Sequence, residues 1–549
     1  MNQQWNFADV YEAIAARIPD RPCQVQGERV VTWGRFDRRA SALAVDLVTA
    51  GLQHQSKVAC YLYNGVEYLE VLVAAFKAGM VPVNTNFRYG PEEIAYLFAN
   101  ADAEAVVFHA SFGELLDGIR DRLPTVRRWY VVADDSGDGP EWATPYEPIV
   151  SSGAQLVETE WSRGGDDLLL LYTGGTTGMP KGVMWRQDDL FNVLGSGGNP
   201  LIGTPPAESV VEVAERLDPD APVPVVMIVA CPLMHGTGQF SAFIAMTSGG
   251  TVISLANRRF DVEELLRTVE AHRATNIVIV GQAFAGPMLE HLDANPGRYD
   301  LSSVAVISSS GVMWSHDNKQ GLLRHLPQAL LFDSFGSSEA VGLGASVSVA
   351  GVAEETATFS ITENNAVFTD DGRRVEPGSG EMGMVAVGGY IPVGYYKDEA
   401  KTTATFRTVE GRRWSIPGDF ATVNADGTIH LLGRGSACIN TGGEKVFPEE
   451  VEEALKTHPT VRDAVVVGVP DARFGETICG VVEPAEGADI DTAELRAHVT
   501  AQLAAYKAPR NVVVVDSIAR AANGKVDYKR LTALATEQIG EQVGTPSSR

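Results

Sequence analysis

The sequence predicts an α/β protein: a large α/β domain followed by a smaller α+β unit. Short apolar runs alternate with helical patterns through most of the first 430 residues, as a parallel sheet with crossover helices requires. The chain has 549 residues, too many for one hydrophobic core. Around 433–443, "GRGSACINTGG", four glycines and little apolar content suggest a linker, and the pattern changes beyond it.

The elements follow in chain order. Phe7, Val10, Ile14 and Ile18 share one face of an amphipathic helix. "KVACYLY" (57–63) reads as a strand before the helical "GVEYLEVLVAAFKAG" (65–79). "AEAVVFHA" (103–110) precedes a helix over "SFGELLDGIRDRL" (111–123). "TVISLA" (251–256) precedes "DVEELLRTVEAH" (261–272), and "TNIVIVG" (275–281) follows it. In such sheets ligands sit at the carboxyl ends of the strands. Residues 195–225, rich in Gly, Pro and acid, read as a surface excursion with one short helix. After the linker come a helix in 443–459, strands in 463–471 and 480–487, a helix in 491–506 and a strand in 511–518.

Composition excludes several function classes. Hydrophobic content of 45% and charged content of 21% are ordinary for a globular protein. A formal charge of −26 repels nucleic acid and anionic membranes, though not small anions, which sense local charge. The longest apolar stretch, 221–234, is too short to span a bilayer and is broken by prolines. The N-terminus lacks a secretory pattern. Five scattered cysteines without a C-x-x-C pair suggest reduced, buried thiols. The expected location is the cytoplasm, with no nucleic acid partner and no integral membrane segment; an oligomer is left open.

The stretch with the strongest chemistry is "LLLLYTGGTTGMPKGV" (168–183). A Walker A loop needs lysine directly after glycine and a hydroxyl after lysine. Here Lys181 follows Pro180 and precedes Gly182, and the proline disfavours helix at Met179. The loop still suits an anion. Gly174, Gly175 and Gly178 let backbone N–H groups approach closely, Thr173, Thr176 and Thr177 add hydroxyls, and Lys181 adds a point charge.

This stretch resembles the signature of the adenylate-forming superfamily, which includes acyl-CoA synthetases, aryl-CoA ligases, peptide-synthetase adenylation domains and luciferases. "DSFGSSEA" (333–340), the run 415–455 containing "PGD", "LLGRG" and "GGEKVFPEEVEEAL", "VVVGVPDARFGE" (465–476) and "ARAANGKVDYKRL" (519–531) resemble its further motifs, in the family's order. The resemblance covers nearly the whole chain. It implies a large domain over 1–433, a hinge at 434–436 and a small mobile α+β domain over 437–549. It also implies a two-step reaction. A carboxylic acid and ATP give acyl-adenylate and pyrophosphate, and a thiol then displaces AMP.

By the same resemblance Thr173, Gly174, Gly175, Thr176, Thr177, Gly178 and Lys181 hold the β- and γ-phosphates. Glu339 ligates Mg²⁺ and is catalytic, a role that suits a hard cation. Ser338 replaces the usual threonine. Phe335, in place of tyrosine, lies against adenine, and Ser310, Gly311 and Val312 line it. Asp419 accepts the ribose hydroxyls, Arg434 reaches ribose or phosphate, and Lys525 is the adenylation lysine. Gly442, Gly443 and Lys445 line the CoA channel. His235, Gly236, Gly311, Gly336 and Ala340 border the acid. Plainer readings stay open at this stage: a helix-N-terminal carboxylate for Glu339, a turn residue for Asp419, a surface residue for Arg434, a core residue for His235 and a solvated turn for Lys525. Pro448, Glu449 and Glu450 make a good helix N-terminus whatever their function. Gln187 and Ser436 depart from the family, the latter where the hinge usually has Asp or Lys.

The pocket stretches 233–242, 281–286, 308–313 and 335–344 are rich in small residues, with Trp314 the one large plug and no cation for a second carboxylate. They imply a bulky apolar monocarboxylic acid, a fatty acid or a steroid side-chain acid. Residues 195–225 and "GVMWRQDDL" resemble bacterial synthetases acting on steroid side chains. Only 24 residues follow Lys525, too few for a fused carrier domain, so free CoA is the expected acceptor and a carrier protein in trans the alternative. A luciferase-like oxidative enzyme remains a third reading. A catalytically dead nucleotide-binding regulator is opposed by the joint retention of Lys181, Glu339, Asp419, Arg434 and Lys525.

Overall fold

The computed structural model describes residues 4–154, 157–173, 179–199, 204–312, 314–352, 355–435, 439–441, 444–471, 475–503, 505–521 and 526–544. Two eight-stranded sheets form the body of the large domain. In the first, the spatial order is Ala340–Ser348, Leu330–Ser337, Val306–Ser310, Asn276–Ile279, Val226–Val229, Thr251–Ser254, Pro22–Gln26 and Arg29–Thr32. Its six inner strands are parallel, and an antiparallel strand closes each edge. In the second, the order is Gly394–Tyr395, Lys181–Arg186, Leu168–Thr173, Val81–Asn84, Lys57–Tyr61, Ala103–His109, Arg128–Val132 and Thr144–Pro145. Leu168–Thr173 onward is parallel, and the first two strands are antiparallel.

The helices seal these sheets as their periodicity requires. Phe7–Arg17 is capped by the Asn6 side chain and buries Phe7, Val10 and Ile14, with Ile18 buried at its end. All of Val66–Lys77 is buried, including three charged residues. Each finds a partner: Glu70 accepts from Arg39 at 2.7 Å, Lys77 meets Glu12 at 2.6 Å and Asp37 at 2.7 Å, and Glu67 pairs with Arg29. Buried charges left unpaired would cost several kcal/mol each, at roughly the scale known for such sites.

Three expectations are corrected. The helix over 111–123 is broken into Ala110–Phe112, Gly113–Asp117 and Arg120–Arg122, with poor helix formers Gly113 and Gly118 at the breaks. The α/β alternation stops near residue 340. Ala340–Ser348 closes the first sheet, and from Thr358 to Arg434 the chain builds an antiparallel seven-stranded sheet with one helix, Glu399–Thr405, while Gly394–Tyr395 joins the second sheet. The described residues of 433–443 are mostly strand; 436–438, 442 and 443 lie outside the described residues. Gly433 and Arg434 complete Ile429–Arg434, and Ile439–Thr441 opens the sheet of the small domain. The surface excursion does carry its short helix, Val210–Glu215, but is anchored. Arg17 Nε donates to the Leu217 carbonyl at 2.9 Å, and Ala207, Val213 and Leu217 are buried.

The small domain pairs Glu444–Val446, Ile439–Thr441, Gly475–Pro484 and Val461–Asp471 antiparallel and adds Asn511–Val514 in parallel. Its helix Pro448–Lys456 packs against the large domain. The Phe447 and Phe420 rings lie 5.7 Å apart, and Glu449 reaches the backbone N–H of Arg434. Glycine at 433 makes that approach possible, because a Cβ there would overlap the Glu449 carboxylate. Glu449 is partly exposed as a residue, but its Oε2 is sealed from water with no hydrogen-bond partner among the described residues. Burial, then the nearby Glu452, push its carboxyl up to about 7. A carboxyl raised by docking favours the docked fold when protonated. That contribution is fully present below about 4.5, the ordinary value, and is lost as pH rises through about 7. Glu449→Gln is therefore expected to match the parent's unfolding temperature at about pH 4, below the ordinary value. At pH 8 it should exceed the parent in stability by roughly 1–3 kcal/mol. An equal difference at both pH values would rule out a buried charge as the cause.

Candidate active site

The glycine–threonine stretch lies in sequence between two paired strands. Leu168–Thr173 and Lys181–Arg186 pair antiparallel with Thr173 opposite Lys181, so no helix follows the loop, in keeping with Pro180. Gly174, Gly175, Thr176, Thr177 and Gly178 lie outside the described residues. Gly182 lies against the Tyr172 ring, where a Cβ would come within 2.7 Å. Lys181 Nζ is 2.6 Å from Asp398 Oδ2, and this bond holds the Asp398 carboxyl below the usual carboxylate range.

Glu339 stands in the tight turn between Leu330–Ser337 and Ala340–Ser348, so it is not a helix-N-terminal carboxylate. It is only 9% exposed, and three bonds fix its turn. The Tyr395 hydroxyl donates to Glu339 Oε1 at 2.7 Å, and Ser415 Oγ donates to the Glu339 carbonyl at 2.6 Å. Trp185 Nε1 donates to the Ser338 carbonyl at 3.0 Å. Burial and, next, the Glu339 charge push the Tyr395 phenol well above its ordinary value, so it stays a donor. Gly394–Tyr395 pairs with Lys181–Arg186. One short edge strand thus delivers Tyr395 to Glu339 and, three residues later, Asp398 to Lys181.

Asp419 opens strand Asp419–Val423 and faces Arg434 across the ladder. Arg434 Nε donates to Asp419 Oδ1 at 3.1 Å. Asp419 is 5% exposed, and its Oδ2 has no hydrogen-bond partner among the described residues. Burial pushes the Asp419 carboxyl up, Arg434 opposes this, and Glu339 adds to it. Asp419 in turn is the main cause holding the Arg434 guanidinium above its usual value. Glu339, Tyr395, Asp419 and Arg434 therefore form one electrostatic cluster. A buried carboxylate oxygen without a donor costs free energy, and a ligand hydroxyl would satisfy it.

The expected acid-pocket residues gather at the carboxyl ends of the first sheet. His235 stands at the N-cap position of helix Gly236–Thr247 without a side-chain cap bond and is half-buried, not a core histidine. A Cβ at Gly236 would meet Leu171 at 3.4 Å, which puts this helix start against the phosphate-loop strand. Gly311, at φ +91°, has among the described residues only Thr237 and Val280 within 4 Å of where a Cβ would stand, both at 3.8 Å. Gly336 backs onto the Ala340 carbonyl, and Ala340 is buried. The Phe335 ring lies 5.4 Å from that of Phe359. Trp314 belongs to the main core, with its indole N–H on Asn318 at 2.8 Å, so it is packing and not a plug. Gln187 is fully buried and accepts from the Phe7 N–H at 3.1 Å, a structural task.

Ser436, Gly442, Gly443 and Lys525 fall outside the described residues. Lys445 lies in Glu444–Val446 opposite Asn440; its side chain is not among those described. Sequence reasoning missed Tyr395, Asp398 and Ser415. "GYYKDEA" carries no periodic or motif signal, and its residues acquire meaning only by pairing with a strand about 210 residues earlier.

Comparison with known proteins agrees with this architecture. A model described as AMP-binding enzyme matches residues 11–396, and one described as AMP-binding enzyme C-terminal domain matches 450–525. A medium/long-chain-fatty-acid–CoA/3-oxocholest-4-en-26-oate–CoA ligase of Mycolicibacterium smegmatis is 40% identical over 544 residues, 98% of each chain. A 3-oxocholest-4-en-26-oate–CoA ligase of Rhodococcus rhodochrous is 41% identical over 537 residues, 95% of each. The anthranilate CoA ligase AuaEII, solved with anthranoyl-AMP, shares the fold. Its TM-score is 0.82 at 20% identity, with 98% of this chain and 99% of that chain covered. Across both its large and its small domain, this chain belongs to the AMP-binding enzyme family.

Proposed function

We propose that this chain is an AMP-forming acid–CoA ligase acting on bulky apolar acids. The observation that carries this most directly is the buried, half-satisfied Asp419 beside Arg434, Glu339 and Tyr395. It is a polar cluster poised for a ligand with hydroxyls and negative charge. Asp419 Oδ2 takes a ribose hydroxyl, and Arg434 binds the nucleotide. The stretch 173–181 cradles the β- and γ-phosphates, with Lys181 leaving Asp398 for them. Gly311 and Phe335 bound the base, and Ser338 supplies a hydroxyl beside Glu339. Among the described residues no group of three His, Cys, Asp or Glu could bind a metal by itself. A single buried carboxylate, Glu339, fits Mg²⁺ that takes its other ligands from phosphate and water, and the ion would neutralise polyphosphate charge there.

The chemistry then runs in two steps. A carboxylate oxygen held near His235 and Gly236 attacks the α-phosphorus, and the bond to pyrophosphate breaks. Lys525 supplies positive charge as the α-phosphate crowds. The small domain, 437–549, then turns about 434–436. The CoA thiol, guided past Gly442, Gly443 and Lys445, attacks the acyl carbonyl, releases AMP and loses its proton to solvent. The relatives named for fatty acids and for 3-oxocholest-4-en-26-oate support a long or polycyclic acid, as do the small residues at Gly236, Gly311 and Ala340. Free CoA is the acceptor. No helix among the described residues is long and apolar enough to cross a membrane. Among the described residues Cys23, Cys60, Cys231 and Cys479 are free and buried, which supports a reducing location such as the cytoplasm.

An acid screen for pyrophosphate–ATP exchange, repeated with CoA, tests this reading. Medium- or long-chain fatty acids or a steroid side-chain acid should exceed acetate in kcat/KM by at least roughly 100-fold, the scale of burying several methylenes. Acetate or a dicarboxylate as best substrate would refute it. The Lys181–Asp398 pair gives a second test. Asp398→Asn keeps the side-chain cap on Lys401 N but frees the lysine. A half-exposed ion pair is worth up to about 1 kcal/mol, so KM for ATP should fall roughly 2- to 5-fold. An unchanged or raised KM would mean that Lys181 does not exchange Asp398 for phosphate.

A further inference from the structure

Two asparagines outside every expected motif join the two sheets where the site lies. Asn84, the last residue of Val81–Asn84, is 3% exposed. Its Nδ2 donates to the Tyr172 carbonyl at 2.9 Å and to the Met234 carbonyl at 2.6 Å, and its Oδ1 accepts from the Tyr172 N–H. Tyr172 directly precedes Thr173 of the phosphate-loop hairpin, and Met234 directly precedes His235. One rigid amide thus spans the strand that delivers the phosphate loop and the turn that delivers the acid-side histidine. Asn64 grips the same turn from the neighbouring strand end. Its Nδ2 donates to the Cys231 carbonyl at 2.9 Å, and its Oδ1 accepts from the Leu233 N–H at 2.7 Å. Asn84, Tyr172 and Met234 are buried, so no water replaces the Asn84 bonds; Asn64 is half-buried.

We infer that Asn84, assisted by Asn64, is a positioning residue for adenylation: it sets the distance between the acid subsite and the phosphate loop. The inference rests on the ligase reading above. Its physical basis is that the acid and the α-phosphate are separate molecules until they react, so their relative placement must come from the protein. A misplacement of about 1 Å costs on the order of 100-fold in rate. The second step differs. In acyl-adenylate the acyl group and the phosphate are already covalently joined, and the register between the two sheets no longer sets their separation.

The experiment measures each half-reaction on full-length Asn84→Ala, with the folded fraction determined. Acid-dependent pyrophosphate exchange should fall in kcat by roughly 10- to 100-fold, with KM for ATP within about threefold of the parent. Thioester formation from supplied acyl-adenylate and CoA should stay within about threefold. Asn64→Ala loosens the same turn without touching Tyr172. It should show the same bias at smaller size, and it carries the test if Asn84→Ala does not fold. Equal loss of both half-reactions would show a merely structural amide and overturn the inference, as would unchanged adenylation. A parent enzyme without exchange for any acid would instead refute the ligase reading, so the two failures are distinguishable.

Discussion

A parallel strand leaves backbone groups unpaired where the chain turns out of the sheet, and each buried one needs a partner. In this protein the strands of two sheets end at the same place, so the unpaired groups of one face those of the other. Asn64 and Asn84 meet that constraint from the second sheet by bonding the 231–234 turn of the first. Trp185 does so from the hairpin by bonding the Ser338 carbonyl. The cleft is the consequence. Its walls are held at a set separation by buried amide and indole hydrogen bonds, and the glycines at 236, 311 and 336 keep its lining low.

The acidic character of the whole chain extends into the cleft. The net charge is −26, and two buried carboxylates sit close together there. That arrangement is tolerable because each is tied to a donor, Glu339 to Tyr395 and Asp419 to Arg434, and the guanidinium stays charged beside both. The remaining acceptor capacity at Asp419 Oδ2 is what a ligand can use. Lys181 is already held by Asp398, so the positive charge beside the glycine–threonine stretch is stored in an ion pair, not left to solvent.

The junction between domains is built differently. It relies on close approach at Gly433 and on one carboxyl, Glu449, whose burial is only partly compensated. A contact that includes an incompletely satisfied group is easier to break than a closed apolar interface. Such a contact suits the rotation proposed above for residues 437–549.

The sequence by itself determined what is local. Strand Leu168–Thr173, the buried face of helix Phe7–Arg17 and the small-domain strands were legible because their signals lie within one or two turns of chain. The order of motifs was legible too, and it carried the family and the residues Lys181, Glu339, Asp419 and Arg434. Tertiary structure alone decided their partners. Tyr395 meets Glu339 across 56 residues, Asp398 meets Lys181 across 217, and Asn84 meets Met234 across 150. The antiparallel sheet beyond residue 340 and the anchoring of 195–225 to the first helix belong with these. Pairing at such separations is set by strand register and by burial of polar groups in a shared interior. Neither has a period or composition that a linear sequence can display.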